Sequence, residues 1–517
     1  MRLIVCLVGI IAAFCAAAGG AEEPAKAAGP GDASAKAQVR PVMELHLLAP
    51  AYRGQVARFT EGKPLSGWVS IDRAGHGLEG KPLTLEWRLM HGEEPLSTQR
   101  MQIGAGETSY QWQSTLPELP AGRYELRTRL LDEQGNVVGE DAEGVEVLQP
   151  LEQRERVWID DKGRTMVEGK PFFPFGLYLG PTEDEHLARI AAAGFNTILC
   201  YGYGQGADPK AYMDRAQKHG LRVIYSVKDF YEGTKWTPPQ GKTGLDVARE
   251  YVTMVRDHPA LLAWYINDEL EAKWIPRLKE MYELVMELDP KHPAFQVLCK
   301  PEEFGAYYRV TDVLGVDPYP VPRHPLDMVG DWVDAGVKAV QERKPVWVVP
   351  QLHKWAIYSG EDKDREPTYE EKRCMAYLGI IHGARGMIFY SYFDLSREKN
   401  RSQAPPEVFE KRWEEVTRIA GEIKSLIPIV LNGTSIASVV SKPGVHANMI
   451  RVGGDVYIIA ANASSAKPSD FVLGVPERTK PEAADVLTDK KVAIEGGVLR
   501  EQFQPLEVKV YKIEKER

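Results

Sequence analysis

The chain has 517 residues, of which 44% are hydrophobic and 26% are charged, and its formal net charge is −9. A chain of this length predicts two to four domains. Its acidic balance gives no electrostatic basis for binding nucleic acid, and beyond the N-terminus no apolar run is long enough to span a membrane.

The first segment has the features of a secretory signal peptide. Arg2 supplies a positive charge, an apolar segment covers residues 3–18, and the small residues at 19–21 precede Glu22. We predict a signal peptide over residues 1–21 and a secreted or periplasmic protein. A lipid anchor is disfavoured because Phe14 is a poor neighbour for Cys15 in a lipoprotein signal.

Residues 22–40 are rich in Ala, Lys, Pro and Gly without apolar periodicity, which predicts a disordered linker. Removal of the signal peptide leaves Cys200, Cys299 and Cys374. An odd number of cysteines at wide spacings is not a disulfide framework. Three buried thiols are favoured over a single Cys200–Cys299 bridge.

Residues 41–150 show short alternating segments that predict an N-terminal, immunoglobulin-like β-sandwich. The clearest segments are residues 43–48, 65–71, 83–89, 110–114 and 124–131, and residues 132–136 predict a hairpin turn. Residues 431–517 return to alternating strands, including 448–452, 456–461, 471–473 and 506–511. We therefore predict a second, C-terminal β-sandwich.

Between these regions, residues 151–430 alternate apolar runs with amphipathic stretches. The predicted strands are residues 172–179, 196–201, 222–227, 261–267, 294–298, 313–316, 346–349 and 386–392. The predicted helices include residues 183–193, 245–257, 275–288, 328–342, 369–383 and 407–426. Eight such repeats predict a (β/α)₈ barrel within a multidomain α/β protein. A doubly wound open sheet is the alternative, but it usually has fewer strands.

Polar and aromatic side chains lie just past the predicted strands, where such barrels hold their active sites. In strand order they are Tyr178; Tyr201 and Tyr203; Tyr225 and Asp229; Asn267, Asp268, Glu269 and Trp274; Gln296 and Lys300; Asp317 and Tyr319; Gln351, His353 and Trp355; Tyr390, Tyr392 and Asp394. Aromatic rings suit the C–H faces of sugars, and oriented polar groups suit their hydroxyls. The sequence therefore predicts a carbohydrate substrate.

Glu269 is the best candidate for a general acid. It follows an apolar strand and adjoins Asp268, and both burial and a like charge raise the pKa of a carboxyl group. Asp268 is either a second catalytic carboxylate or a supporting partner. The alternative is that both residues merely begin a helix, where acidic side chains are favoured.

The segment WYINDE at residues 264–269 resembles the fourth-strand motif of the large clan of retaining (β/α)₈ glycoside hydrolases that includes β-galactosidases and cellulases. The segment GKPFFPFG at residues 169–176 resembles the clan's entry to strand one. The resemblance covers about residues 155–430 and also fits the flanking β-domains. It implies that Glu269 is the acid/base, although Asp268 stands where the clan has Asn.

The clan's nucleophile is a Glu at the end of strand seven, and this chain has Gln351 there. An amide cannot be the carboxylate nucleophile. Asp317, which ends strand six, is the first replacement candidate, with Asp229 and Asp394 after it; a turn-forming role is the alternative for Asp317. With Asp317 as the second carboxylate, inversion is favoured over retention.

The eleven histidines form no His-Glu-x-x-His motif, and no dinucleotide fingerprint or Gly-x-Ser-x-Gly elbow occurs, so no metal and no cofactor is predicted. The sequence predicts an exported glycoside hydrolase that acts on an oligosaccharide or polysaccharide. The alternatives are an inactive carbohydrate-binding barrel, which Gln351 favours, and a surface structural protein. The oligomeric state is open.

Overall fold

The computed structural model describes residues 41–57, 64–115, 119–148, 157–180, 183–201, 208–234, 236–441 and 444–516. The predicted signal peptide (1–21) and linker (22–40) lie outside these ranges. The chain divides into two compact units, Met1–Arg154 and Glu155–Arg517. Among the described residues, no helix combines the length and hydropathy needed to cross a membrane.

The first unit is a β-domain, as predicted. Its strands are β1 Met43–Ala49, β2 Gln55–Ala57, β3 Pro64–Ile71, β4 Leu83–His91, β5 Glu94–Ile103, β6 Ser109–Thr115, β7 Gly122–Leu131 and β8 Val137–Leu148. They form a three-stranded sheet, β1-β3-β6, and a five-stranded sheet, β2-β8-β7-β4-β5. The strands pair in antiparallel fashion except for β2 and β8, which are parallel. Both sheets contribute to one apolar core, in which Trp87 and Trp112 stack with ring centroids 4.9 Å apart.

The second unit contains the predicted barrel. A small antiparallel sheet comes first, with β9 Val157–Ile159, β10 Thr165–Val167 and β11 Lys170–Phe172. The barrel strands are β12 Phe175–Leu179, β13 Thr197–Cys200, β14 Arg222–Ser226, β15 Leu261–Asp268, β16 Ala294–Leu298, β17 Val313–Val316, β18 Val346–Val348 and β19 Gly386–Phe389. They close in sequence order, with β12 paired to β19, and all pairs are parallel. This closure excludes the open-sheet alternative.

The helices of this unit are α1 Asp184–Ala192, α2 Pro209–Lys218, α3 Gly244–Val255, α4 Ile275–Leu288, α5 Asp327–Ala339, α6 Ala356–Ser359, α7 Tyr369–Ile381 and α8 Pro406–Asn432. Capping boxes at Thr243 and Thr368 satisfy backbone donors at the starts of α3 and α7. One repeat differs from the prediction, because β16 and β17 are joined by the 3₁₀ segment Pro301–Val310 rather than an α-helix.

The first barrel strand is shorter than predicted. The expected strand over residues 172–179 is divided between β11 and β12, with Phe173 and Pro174 between them. Proline has no N–H to donate to a ladder, so it separates the two strands. The last strand, expected to reach residue 392, ends at Phe389, and Tyr390 makes only an isolated parallel bridge to Gln351.

The predicted C-terminal β-domain is one curled antiparallel sheet. Its strands are β20 Thr434–Val440, β21 Val445–Val452, β22 Asp455–Asn462, β23 Ser469–Gly474, β24 Glu482–Asp485, β25 Lys491–Glu495, β26 Val498–Phe503 and β27 Val508–Ile513, in the order β20-β21-β22-β27-β24-β25-β26-β23. The strands surround a common core that includes Phe471 and Phe503.

Helix α7 joins the barrel to this sheet. Ten of its thirteen residues are buried, so it lacks the exposed polar face of a surface helix. Asn448 on β21 donates its side-chain amide to the Ile381 carbonyl (3.0 Å), and the Cys374 thiol lies 3.6 Å from the Asn462 carbonyl. Cys200, Cys299 and Cys374 are free thiols, so the Cys200–Cys299 bridge does not form.

Candidate active site at the barrel rim

The carboxyl ends of the eight parallel strands meet at one rim, and the tip of β15 is irregular there. The pairing of β15 with β16 shifts by one residue between Tyr265 and Asn267. Such a bulge changes the direction in which the following side chains point. It is followed by Glu269, whose backbone has a positive φ of 58°. The chain therefore turns sharply at the end of strand four.

Asn267 shapes this turn and is fully buried. Its amide nitrogen donates to Gln296 Oε1 (3.0 Å), and its Oδ1 accepts from the Leu270 backbone N–H (3.0 Å). Both polar groups of the side chain are thus used within the fold. The structure places Asn267 behind the rim, where it fixes the turn, rather than in the predicted substrate-binding position.

Asp268 is held at the rim by three donors. Oδ2 accepts from the Tyr201 hydroxyl (2.8 Å) and lies 3.2 Å from Lys228 Nζ, while Oδ1 accepts from the Tyr265 hydroxyl. Lys228 also pairs with Asp229 at 2.8 Å. Burial opposes the charge of Lys228, but the two carboxylates outweigh it and raise its pKa. Asp268 is therefore fixed in orientation, and its side chain keeps 22% of its surface exposed.

Glu269 and Asp317 lie in direct contact. A hydrogen bond links the two side chains, and Glu269 also contacts the Cys299 thiol. Burial raises the pKa of Glu269 and the charge of Asp268 adds to the rise, whereas the hydrogen bonds to Asp317 and Cys299 act in the opposite direction. A hydrogen bond between two carboxyl groups requires a proton on one of them, and the raised pKa of Glu269 favours its acid form.

This contact bears on the role expected for Asp317. Retaining pairs of carboxyl groups lie about 5–5.5 Å apart, and inverting pairs about 6.5–9.5 Å apart. Carboxyl groups joined by a hydrogen bond are closer than either spacing, which leaves no room for a sugar carbon or a water between them. Asp317 is only 4% exposed. The geometry favours Asp317 as a partner that positions Glu269, and it gives no support to the inverting arrangement.

An aromatic floor lies beside the carboxyl groups and consists of Tyr178, Tyr201, Tyr319, Trp355 and Tyr390. The Tyr390 ring centroid is 5.2 Å from Tyr178, 5.9 Å from Tyr201 and 5.7 Å from Tyr319. Tyr178 and Tyr390 are buried, while Tyr201, Tyr319 and Trp355 are half-buried. Burial raises the pKa of the four tyrosines well above the usual value, so their hydroxyls stay protonated.

The polar residue at the tip of strand seven is bonded to backbone groups. Gln351 is fully buried; its Oε1 accepts from the Val321 N–H (2.9 Å), and its Nε2 donates to the carbonyls of Val321 (2.8 Å) and His353 (3.1 Å). The amide therefore ties the loop after β17 to the tip of β18. The expectation that Gln351 contacts substrate does not fit this arrangement.

His353 lies beneath the aromatic floor. It is 2% exposed, and its ring centroid is 4.8 Å from Tyr319, 5.1 Å from Trp355 and 5.4 Å from Tyr390. Burial lowers its pKa to about 3, so the imidazole is neutral. His353 supports the rings that face the rim and is itself covered by them.

The remaining predicted residues divide between the rim and the outer layer. Tyr392 points toward the helices, where its hydroxyl lies 2.6 Å from His186 Nδ1 and its ring lies 5.4 Å from Trp413. Trp274 is half-buried on the loop after β15, 6.5 Å from Tyr231. Tyr203 lies outside the described residues.

Asp394, a weaker candidate for the second carboxylate, already accepts hydrogen bonds from neighbouring side chains. Its Oδ2 accepts from the hydroxyls of Tyr358 (2.6 Å) and Ser391 (2.7 Å), and its Oδ1 lies 3.2 Å from an Arg397 nitrogen. Burial raises the pKa of Asp394 despite these partners. With 3% of its surface exposed, Asp394 holds the loop after β19 rather than facing the rim.

A small, open recess lies beside Glu269, between the loops that follow β15 and β16. Its lining combines apolar and polar side chains: Glu269, Leu270, Glu271, Leu298, Cys299, Lys300, Glu303 and Tyr307. Lys300 bridges Glu271 (2.9 Å) and Glu303 (3.5 Å) across it. In the part of the chain that the structure describes, no group of three or more His, Cys, Asp or Glu side chains is arranged to hold a metal ion.

The structure adds three residues that the sequence reasoning missed: Lys228, Tyr265 and Cys299. Lys228 directly follows the third predicted strand, so the rule that selected Asp229 would also have found it. Cys299 follows β16 in the same way. Tyr265 lies within an apolar run, and only the contact of its hydroxyl with Asp268 reveals its place.

Comparison with family models gave no match, and neither did comparison with curated proteins. Solved structures similar to this chain include a glycoside hydrolase of family 5 from Bacteroides vulgatus (13% identity, 70% of this chain and 94% of that chain, TM-score 0.49). They also include an α-amylase from Anoxybacillus (11%, 65% and 90%, TM-score 0.45) and a family 2 β-galacturonidase from Eisenbergiella tayi (16%, 73% and 71%, TM-score 0.39). At 11–16% identity, these glycoside hydrolases are remote from the chain.

Proposed function

We propose that the protein is an exported glycoside hydrolase that cleaves O-glycosidic bonds of an oligosaccharide or polysaccharide, with Glu269 as general acid. The observation that carries the proposal is the contact between Glu269 and Asp317 beside the aromatic floor. A carboxyl group whose pKa is raised keeps its proton to higher pH and can donate it to a departing sugar oxygen. The exposed parts of Tyr201, Tyr319 and Trp355 offer contacts for sugar rings. Lys228 covers one face of Tyr201 (4.2 Å) and Arg323 covers one face of Trp355 (4.3 Å), so the sugar meets what these cations leave open.

The recess beside Glu269 supports the placement of the leaving group. A general acid must lie within hydrogen-bond reach of the oxygen that it protonates. The recess begins at Glu269, and Lys300, Glu271 and Tyr307 supply donors and acceptors for hydroxyl groups. In this proposal the departing sugar lies at the mouth of the recess, with its hydroxyl groups toward these side chains. The sugar whose bond is cleaved lies over the aromatic floor.

The test is a screen of the purified protein against polysaccharides and against nitrophenyl glycosides of both anomeric forms. Release of sugar or nitrophenol by the wild type, and its loss in Glu269→Gln, is the expected result. Release that is unchanged in Glu269→Gln would assign the activity to a contaminant or to another residue. No release from any glycoside would reject hydrolysis.

A second candidate is a carbohydrate-binding barrel without catalysis, and the burial of Gln351 favours it. A side chain that makes three hydrogen bonds to backbone groups has a structural role, so strand seven offers no carboxylate at its tip. Calorimetric titration with oligosaccharides separates the two candidates. Binding without turnover supports the second, and neither binding nor turnover leaves a structural protein of the surface.

A further inference from the structure

Hydrolysis of a glycoside requires a group that attacks or stabilises the anomeric carbon from the side opposite the acid. Among the carboxylates of the described rim, Asp317 contacts Glu269, and Asp394 is buried and held by three donors. Asp229 and Asp268 both pair with Lys228, and both stay partly exposed. Gln351 is an amide whose hydrogen bonds go to backbone groups. Of the two exposed carboxylates, Asp268 is adjacent in sequence to the acid.

Asp268 has the properties of an orienting group. Its Oδ2 accepts two contacts, from Tyr201 and Lys228, while its Oδ1 accepts one, from Tyr265. A carboxylate oxygen can accept two hydrogen bonds, so Oδ1 has capacity for one more donor. The side chain is partly exposed, and three donors prevent it from turning away. It is suited to accept an N–H from a ligand beside the acid.

Resting on the proposed function, we propose that the substrate is an N-acetylated amino sugar whose own acetamido group replaces the missing enzymic nucleophile. The carbonyl oxygen of that group attacks the anomeric carbon as the glycosidic C–O bond breaks. The leaving oxygen takes the proton of Glu269. Asp268 accepts the hydrogen bond of the acetamido N–H and stabilises the positive charge that develops on the resulting oxazolinium ring.

The second half of the reaction restores every group. Water attacks the anomeric carbon and loses its proton to the Glu269 carboxylate, and the bond between the anomeric carbon and the acetamido oxygen breaks. The sugar is released with its acetamido group intact and with its anomeric configuration retained. No carboxylate on strand seven is needed, which accounts for the structural use of Gln351.

The first experiment compares nitrophenyl N-acetylglucosaminide and N-acetylgalactosaminide with the matching glucoside, galactoside and xyloside, in both anomeric forms. We expect cleavage of an N-acetylated substrate, with a retained first-formed anomer by NMR. Replacing the acetyl group with its mono-, di- and trifluorinated forms should lower kcat progressively, because fluorine withdraws electrons from the attacking oxygen. A rate that does not respond to fluorination overturns the inference.

The second experiment tests Asp268 with Asp268→Asn and, as a matched control, Asp257→Asn in the exposed turn after α3. Asp268→Asn should lower kcat for the N-acetylated substrate roughly 10²-fold or more, since an amide does not stabilise the cationic ring. The size of this loss should change with the number of fluorine atoms on the acetyl group. A defect that only disturbed the fold would not show this dependence. Asp257 forms an exposed ion pair with Lys291, and its change should leave kcat unaltered.

The outcomes separate this inference from the proposed function. Cleavage of glucosides, galactosides or xylosides without cleavage of their N-acetylated counterparts would leave a glycoside hydrolase and overturn the substrate class. A covalent glycosyl adduct on an aspartate or glutamate would do the same. Absence of cleavage of every glycoside would reject the proposed function itself.

Discussion

The tips of strands four and seven face the same rim but use their polar residues in opposite ways. At strand four, Asp268 and Glu269 keep part of their surface exposed and interact with other side chains at the rim. At strand seven, Gln351 is fully buried and bonded to backbone groups. The difference teaches that a position at a barrel strand tip does not by itself make a polar residue available to a ligand, because backbone groups can take up its hydrogen bonds, as they do at Gln351.

Substitution of Glu269 tests the strand-four side most strongly. Glu269→Gln should lower kcat by roughly 10²–10⁴-fold on whatever glycoside the wild type cleaves, because the amide cannot donate a proton to the leaving oxygen. Steady-state kinetics measures the loss, and circular dichroism checks the fold. Glu250→Gln is the control, since Glu250 lies on α3 and forms an exposed ion pair with Lys242. Equal activity in both variants would remove Glu269 from the mechanism.

Substitution of Gln351 tests the strand-seven side. Gln351→Glu introduces the carboxylate expected of the clan, yet it should create no activity and should destabilise the fold by roughly 3 kcal/mol. The buried carboxylate cannot donate to the carbonyls of Val321 and His353. Urea unfolding measures the loss against Gln217→Glu, an exposed change on α2. A stable and more active Gln351→Glu protein would instead identify position 351 as a lost nucleophile.

Substitution of Asp317 tests how the strand-four site depends on pH. In Asp317→Ala the hydrogen bond that lowers the pKa of Glu269 is lost, whereas burial and the charge of Asp268 still raise it, so the pKa of Glu269 should rise further. The acid form of Glu269 is present below its pKa, and the alkaline limb of the pH–rate profile should therefore move to higher pH. An unmoved alkaline limb, with Asp362→Ala as the surface control, would mean that Asp317 does not act on Glu269.

The barrel could be predicted from the sequence because its strands are buried on both faces and read as separate apolar runs. Residues 294–298 and 313–316 have the observed bounds of β16 and β17, and the prediction for β15 ends one residue early. Pro174 was a visible signal for the break between β11 and β12, but the long apolar run over residues 172–179 predicted a single strand. The 3₁₀ crossover after β16 has no comparable signal, since its residues alternate buried and exposed like those of a helix.

The positions of the site residues could be predicted from the sequence, but the directions of their side chains could be predicted only in part. Strand tips identify which residues reach the rim, and this rule placed Asp268, Glu269, Asp317 and Tyr319 together. It could not show that Asn267 is buried within the fold, because a one-residue shift in the pairing of β15 with β16 decides which way that side chain points. It also could not show that Gln351 is enclosed, because its partners at Val321 and His353 come from loop geometry.

The positive φ of 58° at Glu269 has a consequence for the range of amino acids that position 269 accepts. In this left-handed region the Cβ of a side chain is too close to the backbone, which costs about 1–2 kcal/mol. Glycine has no Cβ and avoids this cost, and asparagine tolerates the conformation better than most residues. A glutamate here opposes the preference of its own backbone. A library randomised at position 269 and selected only for folded protein should therefore enrich glycine and asparagine, whereas selection for turnover should restore glutamate.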